Sequence, residues 1–175
     1  MPADQSQSIE ADAFTAVVLA GDRNPDDPLV RQTGACCKAL VTIDGRPMLD
    51  GVVATLQQSE WIQRVLLSGP SRQCLDTDAT LTAALEGGQI DWVEPKSSPS
   101  SSAYAAMQRL SANAPVLVTT ADHPLLRADI VDHFVREAVG GGADVAVGVT
   151  HFAAIQEKFP DASKTVLRFR EGGFC

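Results

Sequence analysis

The segment FTAVVLAGDRNPDDPLVRQTGACCKALVTIDGRPM, residues 14–48, decides the fold. It begins with an apolar run that ends at a glycine, continues through a polar loop containing two prolines, and resumes a regular pattern at Lys38. A short apolar run bounded by turn residues is typical of a strand that is buried on both faces. We therefore expect a buried first strand that leads directly into a long loop.

Further apolar runs along the chain alternate with helical patterns. The predicted strands are residues 14–20, 62–68, 90–94, 115–121 and 143–149. Predicted helices follow Pro47, follow the serine-rich segment KSSPSSS (residues 96–102), and precede the glycines at 140–142. This alternation predicts an α/β protein with three layers, α/β/α, around a mostly parallel central sheet.

Length and composition bound the domain organisation. The chain has 175 residues, of which 45% are hydrophobic, so it can bury one sizeable core. We expect a loose N-terminal tail over residues 1–13 and a single domain over residues 14–175.

Charge and cysteine content limit which binding partners and which cell compartment the sequence predicts. The net charge is -8 and the basic residues are scattered singly, which argues against a nucleic-acid or membrane-surface partner. With no signal-like N-terminus and no apolar run of membrane length, a cytoplasmic location is predicted. The four cysteines (Cys36, Cys37, Cys74 and Cys175) make no metal-ligand spacing, and reduced thiols are expected.

The loop after the first strand has the position of a binding site. In open parallel sheets, ligands bind beyond the carboxyl ends of the strands. The segment LAGDRNPDDP matches neither of the two standard glycine-rich phosphate loops. The alternative to a binding loop is a tight Gly-Asp turn that leads into a variable loop. With prolines, a glycine and several like charges, residues 22–37 are expected to be mobile without ligand and ordered with it.

Three segments in a fixed order carry a family resemblance: AVVLAGDR (residues 16–23), KALVTIDGRPML (38–49) and VLVTTADHPLL (116–126). They resemble the molybdenum-cofactor guanylyltransferase-like NTP transferase family, nucleotidyltransferases with a GT-A-type fold. The resemblance extends from residue 14 to about residue 149 and implies the nucleotide-diphospho-sugar transferase (GT-A) type of fold. This chain departs from the pattern at Asp22, where the family has a second glycine, and in the greater length of the loop before Lys38.

The family resemblance implies a Mg²⁺-dependent nucleotidyltransferase. Such an enzyme moves an NMP from an NTP to a small phosphorylated or hydroxylated acceptor and releases pyrophosphate. The alternative is a non-catalytic nucleotide-binding or regulatory module on the same fold. A sugar-transferring enzyme would require a D-x-D metal motif, and ADHP at residues 121–124 supplies one carboxylate. The resemblance also allows a homo-oligomer.

The resemblance assigns roles to named residues. The predicted catalytic residues are Arg23, Lys38 and Asp122, and the predicted nucleotide-binding residues are Leu19, Ala20, Gly21, Asp22, Ser100 and Ser101. Nucleotidyl transfer depends mainly on positioning and charge neutralisation, so backbone N–H groups beside Gly21 and the two cations would hold phosphates. Arg23 could instead form a surface ion pair with Asp26 or Asp27.

Asp122 is predicted to hold Mg²⁺, because it follows a strand and Mg²⁺ prefers carboxylate and phosphate oxygens. The alternative is that Asp122 caps a following helix, since DHP precedes a helical pattern. The serines at 100–102 could bond a base edge, cap a helix, or do both.

The C-terminal segment KTVLRFREGG, residues 164–173, carries alternating cations. It is expected either to face an anionic acceptor or to form a solvated edge strand. Because the resembling family continues beyond this region, we expect the domain to lack its C-terminal part. The chain would then bind NTP but turn over slowly, and another subunit would cover the sheet edge near residues 166–169.

Overall fold

The computed structural model describes residues 13–22, 26–161 and 165–175. The chain divides into two compact units, with the boundary between Val135 and Arg136. The predicted N-terminal tail lies outside the described residues except for residue 13, and the single-domain organisation stays a prediction. No helix in the described ranges is long and apolar enough to cross a membrane. The cytoplasmic location stays a prediction as well.

The first unit contains most of the secondary structure. Its elements are β1 (Phe14–Leu19), α1 (Pro28–Thr33), a 3-10 turn (Lys38–Leu40), β2 (Thr42–Ile43), β3 (Arg46–Pro47), α2 (Met48–Gln58), β4 (Ile62–Ser68), α3 (Arg72–Leu75), α4 (Ala79–Glu86), β5 (Asp91–Val93), α5 (Pro99–Met107) and β6 (Val116–Thr120). Helix α6 (Ala128–Gly140) crosses the unit boundary. The second unit adds α7 (Phe152–Lys158), β7 (Leu167–Phe169) and β8 (Gly172–Phe174).

A four-stranded parallel sheet forms the centre of the first unit, in the order β5-β4-β1-β6. The chain moves from β1 outward to β4 and β5, then returns to the other side of β1 for β6. This reversal places a switch point between β1 and β6, whose last residues, Leu19 and Thr120, are paired. The predicted α/β class with a mostly parallel central sheet is confirmed.

Helices cover both faces of the sheet, which explains why β1 is apolar almost throughout. Ala16 and Val18 belong to a large apolar cluster with α2, α4 and the N-terminal part of α6. Val17 belongs to a smaller cluster with Ala106 of α5, on the opposite face. Each fully buried valine of β1 contributes roughly 1.5–3 kcal/mol to the free energy of folding, relative to an exposed valine. A strand surrounded in this way cannot move without disturbing both clusters.

The loop after β1 contains a helix that the sequence analysis did not predict. The Asp27 carboxylate accepts a hydrogen bond from the Leu29 N–H at 2.8 Å, Pro28 occupies the first turn, and Gly34 ends the helix in the left-handed conformation, with φ 69°. Proline at the start and glycine at the end are ordinary helix boundary signals. Residues 28–33 of the expected long loop therefore form a helix, and the ordering of the loop by nucleotide stays a prediction.

The strand predicted for residues 143–149 was also wrong. These residues form no strand, and Val145 and Val147 are largely exposed. Alternating valines favour a strand, but a strand needs a partner for its backbone groups, and no described strand pairs with this segment. In the C-terminal segment, β7 and β8 instead form an antiparallel hairpin. Lys164, at the start of that segment, lies outside the described residues.

A disulfide joins Cys36 to Cys74, with the two Cα atoms 5.5 Å apart, so the expectation of reduced thiols was wrong for this pair. The physical reason is topological. Cys36 lies in the segment after β1 and Cys74 in the segment after β4, and neighbouring parallel strands bring their following segments to the same edge. Cys37 and Cys175 are free. Burial raises the pKa of the Cys37 thiol to about 11, which disfavours the reactive thiolate.

Candidate nucleotide site

A cavity of about 300 Å³ lies in the first unit, where β1 and β6 end. Residues 19–22 line it from the end of β1, residues 38–39 from the 3-10 turn, and residues 120–122 from the end of β6. This is the switch point of the sheet, where ligands bind in open α/β folds. The structure thus brings together six of the predicted site residues, namely Leu19, Ala20, Gly21, Asp22, Lys38 and Asp122.

Lys38 and Asp122 form an ion pair at the cavity wall. The Lys38 Nζ lies 2.6 Å from Asp122 Oδ2, and the Thr120 hydroxyl donates to Asp122 Oδ1 at 2.6 Å. The side chains of Lys38 and Asp122 remain 40% and 42% exposed. Helix α6 begins only at Ala128, so Asp122 does not cap it.

Asp122 is ionised at neutral pH. Its partial burial would raise the pKa of the carboxyl group, but the hydrogen bonds from Lys38 and Thr120, with the positive charge of Lys38 and a smaller effect of His123, lower it to about 2. An ionised carboxylate at the carboxyl end of a strand can accept hydrogen bonds or coordinate a hard cation.

Asp22 makes a second long-range contact to the same lysine. Its two carboxylate oxygens lie 3.2 Å and 3.0 Å from the backbone N of Lys38, which donates the hydrogen bond. The contact spans 16 positions of the chain and closes the loop after β1. Lys38 is therefore held at its backbone by Asp22 and at its ammonium group by Asp122.

Gly21 lies at a point where no side chain fits. A Cβ atom at this position would lie 2.9 Å from Cβ of Pro95, closer than real Cβ contacts allow. The absence of a side chain also leaves the main chain at residues 20–22 accessible from the cavity. The glycine is needed for packing, whatever binds beside it.

The serines that line the cavity are not the two that the sequence analysis selected. Ser98 caps α5 in a reciprocal capping box with Ser101, and Ser102 accepts a hydrogen bond from the Lys96 N–H at 2.8 Å. Ser98 and Ser102 line the cavity, whereas Ser100 is exposed and the Ser101 hydroxyl is taken up by the capping box. The cause is the start of α5 at Pro99, because it decides which serines turn inward.

Lys96 and Thr120 were missed as site residues. Lys96 lines the cavity from the start of the serine-rich segment, and the Thr120 hydroxyl donates a hydrogen bond that orients the Asp122 carboxylate. Both lie shortly after or at the end of a parallel strand, and that position was the available signal. The predicted catalytic residue Arg23 lies outside the described residues.

The described residues contain no group of three or more His, Cys, Asp or Glu side chains arranged to hold a metal ion. Asp122 lines the cavity with two-fifths of its side chain exposed, and its role as a metal ligand stays a prediction.

Solved structures with the same fold are numerous but distant in sequence. A hypothetical transferase from Thermus thermophilus is 23% identical, with a TM-score of 0.64 over 93% of this chain and 62% of that one. A 4-diphosphocytidyl-2C-methyl-D-erythritol synthase is 13% identical, with a TM-score of 0.60 over 81% of this chain and 61% of that one. The synthase of the same description from Anaerococcus prevotii is 14% identical, with a TM-score of 0.55 over 74% and 52%.

These likenesses support the fold, and this chain spans about half to three-fifths of the length of each of those structures. Among curated proteins, none matches. A family model, described as the MobA-like NTP transferase domain, matches residues 16–158. That match covers most of the chain and confirms the resemblance found in the sequence. The chain therefore belongs to the MobA-like NTP transferase family.

Proposed function

We propose that the protein is a Mg²⁺-dependent nucleotidyltransferase that moves an NMP from an NTP to a small phosphorylated or hydroxylated acceptor and releases pyrophosphate. The observation that carries the proposal is the cavity at the switch point, where Lys38, Asp122 and the main chain after β1 meet. Family membership supports the same activity.

The triphosphate would bind at the carboxyl end of β1. The Ala20 N–H already donates to the Ser68 carbonyl at 2.9 Å, so the backbone N–H groups of residues 21 and 22 are the ones that can donate to phosphate oxygens there, since Gly21 keeps the main chain open to the cavity. Lys38 and Lys96 supply positive charge from two sides. Hydrogen bonds to a charged group contribute about 1.5–3 kcal/mol each, so three such contacts at the upper end of that range reach the roughly 8 kcal/mol of micromolar binding.

The charge balance of the cavity supports a requirement for a divalent cation. The described lining includes two lysines and three aspartates, so its own cations do not offset a triphosphate. Asp122 would hold Mg²⁺, with phosphate oxygens and water completing its ligands. When bound, the ion would neutralise phosphate charge and polarise the phosphoryl group that is transferred.

In the transfer step, an acceptor oxygen attacks the α-phosphorus in line. A new oxygen–phosphorus bond forms as the bond to the β-phosphate oxygen breaks, pyrophosphate leaves with the electron pair, and a hydroxyl acceptor loses its proton to solvent water. The chain's own contribution is to fix the triphosphate against Lys38 and the main chain after β1, so that the leaving pyrophosphate is stabilised as its charge develops.

Binding and turnover measured together test the proposal. Each NTP is titrated with and without Mg²⁺ against the wild-type protein and Lys38→Met, and pyrophosphate release is followed with a panel of sugar phosphates, alcohols and pterin phosphates. Mg²⁺-dependent binding that Lys38→Met weakens at least tenfold, with pyrophosphate released for one acceptor, is the expected result.

Arg64→Met is the matched control, because Arg64 is a paired cation, 53% exposed against 40% for Lys38, that does not line the cavity. Failure to bind any NTP refutes the proposal. Binding without pyrophosphate release for any acceptor would instead favour the non-catalytic nucleotide-binding module.

A further inference from the structure

We infer that Asp22 has two opposing effects on nucleotide binding: it positions Lys38 in the cavity, and its charge weakens the affinity for the triphosphate. The inference rests on the proposed function for its second effect and on geometry alone for its first.

The positioning effect follows from how the 3-10 turn at Lys38–Leu40 is capped. Cys37, which precedes the turn, makes no side-chain hydrogen bond to it. The first N–H of the turn, that of Lys38, is satisfied by the Asp22 carboxylate at 3.0 Å and 3.2 Å. A residue at the end of β1 therefore caps a turn that begins 16 positions later. Without this acceptor, nothing else described holds the Lys38 N–H in place.

The position of Lys38 matters because its side chain reaches the other wall of the cavity. From the capped turn, the Lys38 ammonium extends to Asp122, and the two residues are 84 positions apart. A shift of the turn moves the ammonium group away from the place where a phosphate would meet it. Asp22 acts on the nucleotide through Lys38 and is a positioning residue in this respect.

The opposing effect is electrostatic. The Asp22 carboxylate itself lines the cavity, immediately after Gly21, where the main chain would donate to phosphates. Like charges repel, so the Asp22 carboxylate opposes the binding of a triphosphate beside it. Two substitutions, Asp22→Asn and Asp22→Ala, separate the effects, because asparagine keeps an acceptor oxygen without the charge and alanine keeps neither.

The experiment compares the wild-type protein with Asp22→Asn and Asp22→Ala in two measurements. The first measurement is NTP affinity. We expect Asp22→Asn to bind NTP about fivefold more tightly than the wild type, and Asp22→Ala to bind it at least fivefold more weakly than Asp22→Asn. The second is hydrogen exchange of the Lys38 amide without nucleotide. We expect this amide to be protected in the wild type and in Asp22→Asn, and to exchange at least tenfold faster in Asp22→Ala.

Asp78 provides matched controls, because its carboxylate also caps a helix, at Thr80 and Leu81, but it does not line the cavity. Asp78→Asn and Asp78→Ala should leave NTP affinity and Lys38 exchange unchanged. Protection of the β1 amides reports that each variant is folded.

Three results would overturn the inference. Equal NTP affinities of Asp22→Asn and Asp22→Ala, or equal exchange of their Lys38 amides, would exclude the positioning effect. Weaker binding by Asp22→Asn than by wild type would exclude the repulsive effect. If the wild type binds no NTP, the proposed function fails together with the repulsive effect, and the exchange of the Lys38 amide still decides the positioning effect.

Discussion

Replacing Asp122 with asparagine separates a ligand-binding role of this carboxylate from a structural one. The substitution removes the charge that pairs with Lys38 but keeps an oxygen that can accept the Thr120 hydroxyl hydrogen bond. We expect Mg²⁺-dependent NTP affinity to fall at least tenfold, or about 1.4 kcal/mol, because an amide is a weaker ligand for a hard cation than a carboxylate. Without Mg²⁺, affinity should not fall, since a negative charge has left the cavity and Lys38 is released.

The expected change in stability is small, and the exposure of the pair determines its size. Lys38 and Asp122 are 40% and 42% exposed, so solvent screens their 2.6 Å contact. Ion pairs this exposed contribute about 0.2–1 kcal/mol to folding. Urea denaturation should therefore place Asp122→Asn within about 1 kcal/mol of the wild type.

Asp91→Asn is the control for this experiment. Asp91 pairs with Arg64 at the same distance, 2.6 Å, with side-chain exposures of 44% and 53%, and it does not line the cavity. It should show the same small change in stability and no change in NTP affinity. A loss of several kcal/mol in Asp122→Asn with unchanged Mg²⁺-dependent binding would refute the reasoning, because the carboxylate would then support the fold and not the ligand.

Two further predictions concern stability. Cys36→Ser removes the disulfide bond to Cys74, which spans 38 positions, and should lower the free energy of unfolding by about 4 kcal/mol in chemical denaturation. Cys37→Ser is the control, because it removes no cross-link. Equal stability of Cys36→Ser and the wild type would contradict the prediction. Burial raises the pKa of the Asp50 carboxyl group to about 6, so folding favours its protonated form. The contribution of Asp50 to stability is therefore present below about pH 4 and is lost as the pH rises through 6. Asp50→Asn should flatten the fall in melting temperature between pH 4 and 7, and an unchanged pH profile would show that Asp50 does not cause it.

The sequence was sufficient where structure depends on local patterns. The strand at residues 62–68 was predicted with the bounds that the structure has, because its apolar residues 65–67 mark a buried strand, although Gln63 and Arg64 are exposed. The position of the cavity followed from strand order, since parallel strands place the segments after them at one edge. Helix α1 was also predictable, as its Asp-Pro start and its glycine end were present in the sequence.

Features that depend on distant residues could not be predicted. Whether residues 143–149 form a strand depends on a partner, and the valine pattern contains no information about one. The Cys36–Cys74 bond depends on the adjacency of β1 and β4, which only the sheet order reveals. The serines facing the cavity depend on the residue at which α5 begins, and helix boundaries are uncertain by a few positions.

Asp22 has one meaning in the local sequence pattern and another in the contacts that it makes with distant residues. Taken as one position in a phosphate loop, an aspartate in place of glycine predicts weaker binding and nothing more. In the structure, the same carboxylate caps the turn that presents Lys38, and Asp122 holds the other end of that lysine. The ammonium group is already paired, so turning to a phosphate costs it the small energy of an exposed ion pair, and a cation that replaces it at Asp122 removes that cost. Metal and nucleotide binding are thus expected to depend on each other through Lys38, and the altered loop is compatible with a working site.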